Sequence, residues 1–445
     1  MKKIYFTLLT IGLVLTSAIG QEKQPLLNIS EHGIMLNSED SKIQVGFNGR
    51  IYMDGVHYFD DVTDLSSDVS ISDVRLGTTV MWDKWQVKIN VGFGDEELCV
   101  KDAFLRYFQK ENSYFTVGNF YEPFGIEASA SSKDLRFIGH SNTTIALGIG
   151  RGIGVGYNYF TDKFYGATGL YAGSIENDHK GDQGFSTTTK LAYTPIVNDN
   201  LTWQVGASFS YRKPEANGFS EDFNDDDYNR EVTFAAGPEE LFLNGVVEGA
   251  QSEIKYNFQT MLLAKSFLFQ GEYTRSKVAR DEDYVSQLMK DQPLDYVTYV
   301  WPVAPGDYPA WYGDMKDVTT EAYYAQIGFL LGDEYSYNSA TSYVNRAKPG
   351  TYEFVVRYDN TNLNDIDGTY FNGAYGPADL GAALTGAGNK SVAGGKAETF
   401  SAAVNYYVSD NIMFRLNYSL MDVDNINFPL DDKVGFLNAR VQVSF

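Results

Sequence analysis

The 445-residue sequence predicts an all-β chain, a 16-stranded antiparallel transmembrane β-barrel. Three observations carry that prediction. Leu437, Ala439, Val441, Val443 and Phe445 alternate with Asn438, Arg440, Gln442 and Ser444, so the final strand has an apolar face and a polar face. The same alternation recurs along the chain, and a barrel with lipid outside and water inside requires it. The N-terminus reads as an export signal. Lys2 and Lys3 precede an apolar run from Ile4 to Leu15, and the small residues Ala18 and Gly20 mark a cleavage site. That run is shorter than the ~20 residues of a spanning helix. Residues 1–20 are therefore expected to be a cleaved signal peptide, 21–41 a short periplasmic N-terminal segment and 42–445 the barrel.

The strands follow in order. The first, 42–54, turns Ile43, Val45 and Phe47 outward and Gln44, Asn48 and Arg50 inward. Segments 73–82 and 85–94 share an apolar face that includes Leu76, Trp82, Trp85 and Ile89, opposite Arg75, Thr79, Gln86, Lys88 and Asn90. Segments 100–109, 112–121, 151–160, 163–174 and 184–194 lead to 201–213. There Leu201, Trp203, Val205, Ala207, Phe209 and Tyr211 alternate with Thr202, Gln204, Gly206, Ser208, Ser210 and Arg212. Segments 251–260, 263–275, 319–333, 350–361, 396–408, 411–424 and 433–445 complete the set.

The links between strands alternate in length. Asp83-Lys84, Lys110-Glu111, Thr161-Asp162, 195–200, Met261-Leu262 and Asp410 are short; 55–72, 122–150, 214–250, 276–318 and 362–395 are long. Short turns on one side and long loops on the other are the asymmetry of outer-membrane barrels. A barrel of this size encloses an aqueous channel. A soluble sandwich would have to pack both sheet faces, and no ~40-residue repeat suggests a propeller.

Composition excludes several functions. The formal charge of −23 becomes −25 once Lys2 and Lys3 are removed, which argues against nucleic-acid binding. Much of the acid lies in loops, at Glu221-Asp222, Asp225-Asp-Asp227, Glu239-Glu240 and Asp281-Glu-Asp283. The single cysteine, Cys99, placed in a short loop, cannot form an intrachain disulfide, and with four histidines no Cys/His metal cluster is expected. No cofactor is expected. Asp225-Asp-Asp227 suits either calcium or a solvated loop, and Asp365-Ile-Asp367-Gly368 lacks the rest of a calcium loop. His32, His57, His140 and His179 lie in no Gly-x-Ser-x-Gly or similar setting, so no catalytic site is assigned.

Particular segments resemble the phosphate-selective porin O and P family of Gram-negative outer membranes. Gly49-Arg-Ile-Tyr-Met-Asp54 is similar to the family's first strand, and Val100-Lys-Asp-Ala-Phe-Leu-Arg-Tyr107 to a later one. Val117-Gly-Asn-Phe-Tyr-Glu-Pro-Phe-Gly-Ile-Glu127, followed by Ser131-Ser132, resembles the stretch that enters its constriction loop. Tyr352-Glu-Phe-Val-Val-Arg-Tyr358 with Leu363-Asn-Asp365 and Gly394-Gly395, then Asn405-Tyr-Tyr407 and Arg415-Leu-Asn-Tyr418, resemble late strands and a loop. The resemblance runs from about 43 to 445. It implies a homotrimeric porin for passive diffusion of small hydrophilic solutes, including anions such as phosphate, with loop 122–150 folded inward as the constriction. It also implies that Phe445 serves the barrel-assembly machinery as a terminal aromatic signal.

The inward cations are Arg50, Arg75, Lys88, Arg106, Arg212, Arg357, Arg415 and Arg440. Asp102 shares a face with Arg106; Glu353 and Asp359 share one with Arg357. In the constriction loop the candidates are Lys133, Arg136 and Arg151, with Glu122 and Glu127 as opposing anions. In the family such arginines form a ladder for anions, and guanidinium suits phosphate oxygens. Arginines paired with Asp or Glu serve equally as structural rungs, and both readings stand at this point. The alternative to a porin is a non-conducting surface-binding barrel acting through loops 214–250 and 276–318. Tyr296, Tyr299, Trp301, Tyr308, Trp311 and Tyr312 of the latter suit either sugar stacking or packing over the mouth.

Overall fold

The computed structural model describes residues 26–30, 33–38, 42–59, 65–94, 97–175, 183–216, 230–280, 317–365, 392–425 and 433–445. Sixteen of its strands form the barrel. They are β1 (Ile43–Phe59), β2 (Asp68–Trp82), β3 (Trp85–Gly94), β4 (Glu97–Lys110), β5 (Ser113–Tyr121), β6 (Arg151–Phe160), β7 (Phe164–Tyr171) and β8 (Phe185–Val197). The rest are β9 (Thr202–Lys213), β10 (Ala250–Ala264), β11 (Phe267–Arg280), β12 (Val318–Leu331), β13 (Thr351–Asp365), β14 (Val392–Tyr407), β15 (Ile412–Asp424) and β16 (Lys433–Ser444). Each pairs antiparallel with its neighbours, and β16 pairs with β1 to close the ring.

Alternation decides which side chains meet lipid. Ile51, Leu76, Ile89, Val155, Phe258, Ile327, Val356 and Leu416 are exposed on the outer face. Rings collect at the two rims. Tyr323, Tyr358 and Phe400 associate toward the loop side, and Tyr352 stacks on Tyr406 toward the turn side with centroids 4.3 Å apart. Aromatic girdles of this kind sit at the headgroup level of a bilayer.

Phe445 extends the closing ladder of β16 on β1. Its N–H donates to the Gly49 carbonyl at 2.9 Å, and the Gly49 N–H donates to the Phe445 carbonyl at 2.8 Å. A Cβ on Gly49 would lie 2.6 Å from the Phe445 ring, so glycine lets the ring lie against β1. Below this junction an N-terminal hairpin, Leu26–Ser30 with Gly33–Asn37, pairs Ile34–Asn37 with Gln44–Phe47 and extends the edge that β16 leaves.

The structure differs from the sequence reading locally: β1 runs on to Phe59 and β2 starts at Asp68, both inside the link expected at 55–72. The β10–β11 turn falls at Lys265-Ser266, with Ala264 opposite Phe267, not at Met261-Leu262. The polar pair tolerates solvent, and Lys265 takes the positive φ of 52° that a two-residue turn needs. Met261 is instead fully buried inside the barrel. Cys99 lies within β4 and not in a loop.

Within 214–250 a hairpin, Glu231–Ala236 with Leu243–Glu248, folds over the loop-side end of the barrel. Its Val232, Phe234, Leu243 and Val247 share one apolar cluster with Val278, Val318, Leu363, Met421, Val423 and Val434 of the barrel strands. The signal segment, the aromatic run Tyr296–Tyr312, Asp367-Gly368 and the acidic runs Glu221-Asp222, Asp225–Asp227 and Asp281–Asp283 lie outside the described residues.

Deleting Phe445 removes two backbone hydrogen bonds, a loss of about 1–3 kcal/mol at ~0.5–1.5 kcal/mol each. The expected result is less heat-modifiable folded barrel on gels and an earlier thermal unfolding. An unchanged band and midpoint would show that the Phe445 bonds contribute nothing.

Candidate functional site: a loop pinned across one half of the lumen

The 122–150 segment leaves β5, crosses the lumen and returns to β6. A loop inside a barrel must satisfy its own backbone polar groups, and here the wall of β8 to β16 does so. Glu272 on β11 is the main acceptor. Its carboxylate takes the N–H groups of Ile126 and Glu127, both at 2.8 Å, the Tyr324 hydroxyl at 2.6 Å and the Asn257 amide at 3.0 Å. Lys190 on β8 donates to the Gly125 carbonyl at 2.6 Å, and Ser208 on β9 accepts the Gly125 N–H at 3.0 Å. Gly125 has φ +64°, and a Cβ there would sit 2.4 Å from a Glu272 oxygen, so only glycine permits this approach.

The second half of the loop runs along β13 to β16. Arg415 donates to the carbonyls of Phe137 at 3.1 Å and Lys133 at 2.9 Å. Arg440 donates to Ile138 at 3.1 Å while forking onto Asp54 at 2.7 and 2.6 Å. Asn405 donates to the Arg136 carbonyl at 2.8 Å. Arg136 itself is buried, 3.4 Å from Glu353 and 2.9 Å from the Tyr343 hydroxyl. Burial pushes the Tyr343 phenol up to about 12 despite Arg136, so it remains a neutral acceptor. Tyr343 belongs to 334–349, a turn-side segment whose Tyr343 and Val344 pack with Ile126, Ala130 and Leu135 of the loop.

A short helix, α1 (Asn142–Leu147), completes the crossing. Glu127 latches it: one carboxylate oxygen accepts the Ser141 N–H at 2.9 Å and the hydroxyls of Ser141 and Thr144 at 2.6 and 2.7 Å. The other faces Arg357 at 3.3 Å. Burial opposes the charge of Glu127, but Arg357, His140 and the two hydroxyls outweigh it and hold the carboxyl below its ordinary 4.5. Glu122 anchors the start of the loop, accepting from Arg212 at 2.7 Å, Ser186 at 3.0 Å and Thr188 at 2.5 Å.

The opposite wall, β1 to β6, carries a different set. Asp73 lies between Arg50 and Arg75, and Asp102 between Lys88 at 3.2 Å and Arg151 at 2.8 Å. Arg106 stands over the Phe104 and Tyr114 rings. Exposure differs along the two walls. The side chains of Arg75 and Lys88 are 22% and 31% exposed and Gln204, Gln270, Glu353 and Asn405 are at 0%, but the division is not complete: Arg50 on β1 is as buried as Arg357 and Arg440, and Arg212 on β9 is 30% exposed. The sequence-predicted cations thus fall into two groups. Arg357, Arg415 and Arg440 contact the loop and, with Arg136, are buried, and Arg212 meets Glu122 at the start of the loop; Arg50, which is also buried, Arg75, Lys88, Arg106 and Arg151 lie on the opposite wall. The Lys133 ammonium has no partner among the described residues. Asp102 is taken by Lys88 and Arg151 rather than Arg106, and Arg357 meets Glu127 rather than Glu353. Glu272 and Lys190 were missed in the sequence. Both lie on inward positions of their strands, but alternation alone does not say that a loop will meet them.

A closed 16-stranded barrel with a folded-in loop and a charged inner wall defines a bacterial outer-membrane porin, a diffusion channel rather than an enzyme. The chain belongs to the family described as phosphate-selective porin O and P, which matches residues 44–445. Curated proteins give no match to the sequence. Among solved structures the chain is similar to a loop-deleted OmpT of Vibrio cholerae, at 11% identity and TM-score 0.52 over 91% of this chain and 100% of that one. It is similar to OmpF of Salmonella typhi in complex with daunomycin, at 10% identity and TM-score 0.51 over 92% and 99%. It is also similar to an anion-selective porin of Comamonas acidovorans, at 11% identity and TM-score 0.50 over 91% and 100%. Likeness at these identities establishes the fold.

Glu272→Gln turns one acceptor oxygen into a donor facing a backbone N–H. The expected cost is about 1–3 kcal/mol, with a noisier single-channel current as the loop loosens; a quiet current would show that the latch is dispensable. A depressed carboxyl stabilises above its unfolded value, and that contribution is lost as pH falls through the depressed one. Current noise from the Glu127 latch is therefore expected only in acid below 4.5. Noise that rises near neutrality would assign it to another group.

Proposed function

We propose that this porin prefers small anions and that they move along the β1–β6 wall. The observation that carries the reading is the uncovered cationic strip. Arg50, Arg75, Lys88, Arg106 and Arg151 stand with Asp73 and Asp102, and the third carboxylate of this wall, Asp54, is taken by Arg440 of β16, which leaves the strip positive. A porin selects by pore width and wall charge, so the sign of this strip sets the preference. The formal charge of −23 belongs to the whole chain, and wall potential is local because screening acts over ~8 Å at physiological salt. Phosphate is the anion that the family description suggests. Guanidinium groups take its oxygens in bidentate fashion.

We further propose that the porin assembles as a homotrimer in outer-membrane lipid, is exported with residues 1–20 removed, and is inserted by the barrel-assembly machinery through Phe445. Planar-bilayer recording under a salt gradient tests the selectivity. A reversal potential on the anion side is expected, with the chloride current reduced by added phosphate. A reversal potential on the cation side would remove the anion reading while leaving the porin intact.

A further inference from the structure

We infer that the outer face of β11 to β16 is a docking surface for a phosphorylated glycolipid of the outer leaflet. An apolar groove takes its acyl chains and a charged band above the groove takes its headgroup. This face lies outside the pore, so the inference does not depend on which ions the pore prefers. The groove, of about 430 Å³, runs along the lipid side of the wall from Phe267 of β11 to Leu437 of β16. Ile327, Phe354, Val356 and Leu416 are exposed along it, and Ala402, opposite Val356, keeps its floor low. The next outward row toward the loop side holds Tyr358 and Phe400, with ring centroids 4.9 Å apart. Such rings mark the headgroup level, and the long-loop side of an outer-membrane barrel faces the cell exterior.

Beyond these rings the same face becomes charged. Alternation turns Arg275, Lys277, Glu321, Asp422 and Asp424 outward, where all five are exposed. The register sets Arg275 opposite Glu321, Lys396 opposite Asp424 and Lys433 opposite Asp422. Lys277 meets Asp317 at 2.7 Å, and Lys396 meets Glu398 at 3.6 Å. Glu398 and Lys396 stand two and four residues past Phe400, about 7 and 14 Å along the strand, which is headgroup depth. Cations at a membrane surface attract anionic lipid, and guanidinium takes phosphate oxygens in pairs. The carboxylates fit the same partner through a divalent cation. Glu398 stands opposite Asp422 in register, a pairing of like charges that neighbouring strands disfavour. A Mg²⁺ or Ca²⁺ ion shared with a lipid phosphate relieves it, since both ions bind carboxylate and phosphate oxygens. The band is particular to this half of the barrel: the loop-side ends of β2 to β4 present Val69, Ile71, Phe93 and Leu98 to the outside instead.

The test is native mass spectrometry of the folded protein in detergent with Mg²⁺, titrated with lipid A or with dephosphorylated lipid A. Wild type is compared with the double variant Arg275→Gln, Lys277→Gln and with Ala402→Phe, which fills the groove. Each variant is first shown to be folded by heat-modifiable migration and to keep wild-type conductance, since no substituted side chain faces the pore. Wild type is expected to retain lipid A in preference to the dephosphorylated form, and to release it when EDTA removes the Mg²⁺. Each cation lost is expected to weaken retention by about fivefold, and Ala402→Phe to weaken both lipids alike. Equal retention of the two lipids by wild type, or wild-type retention of lipid A by the double variant, would overturn the headgroup assignment. Retention untouched by Ala402→Phe would overturn the groove as the place of the acyl chains.

Discussion

Backbone polar groups folded into a barrel interior need partners, and that requirement organises the rest of this structure. The constriction loop meets it by lying against one half of the wall. Glu272, Lys190 and Ser208 satisfy its first turn, and Asn405, Arg415 and Arg440 its second. Buried charge-assisted hydrogen bonds contribute about 1.5–3 kcal/mol each, so the set fixes the loop far more firmly than apolar contact alone. The arginines spent there are thereby withdrawn from the passage. What remains is the wall of β1 to β6, where Arg75 and Lys88 are the more exposed cations and cations outnumber carboxylates.

The apolar packing follows the same division. The hairpin over the loop side and the 334–349 segment on the turn side bring Phe234, Leu243, Tyr343 and Val344 against inward-facing residues of β10 to β16. A porin lumen is usually lined by polar groups because water fills it. Here one half of the lumen is packed like a protein interior, and water and solute are left to the other half. Local charge on that half, not the acidity of the chain, is what a permeating ion encounters.

Much of this was legible in the sequence because a strand has a period of two. The sixteen strands, the alternation of short and long links and the inward cations all follow from it. Period alone does not assign partners. Asp102 and Arg106 are two strand repeats apart and share a face, yet Asp102 binds Arg151, 49 residues away and two strands over. Nor does period reveal that an inward position will be covered. Val278, Leu363, Met421 and Val434 are apolar residues on inward positions, a signal that something packs inside, but which segment does so depends on the paths of the loops. The turn expected at Met261-Leu262 falls later, at Lys265-Ser266, because the inward–outward alternation continues through Ala264.

The central claim is that the loop covers the β8–β16 wall and leaves β1–β6 to the solute. Thiol accessibility tests it most directly. In a Cys99→Ser background, single cysteines at Thr79 and Gln86 on the open wall, and at Gln270 and Ser401 on the covered wall, would be treated with a charged thiol reagent during single-channel recording. The account predicts stepwise current loss at Thr79 and Gln86 and none at Gln270 and Ser401. Rapid modification at Gln270 and Ser401, with the open-wall positions silent, would place the passage on the other side of the loop and contradict it.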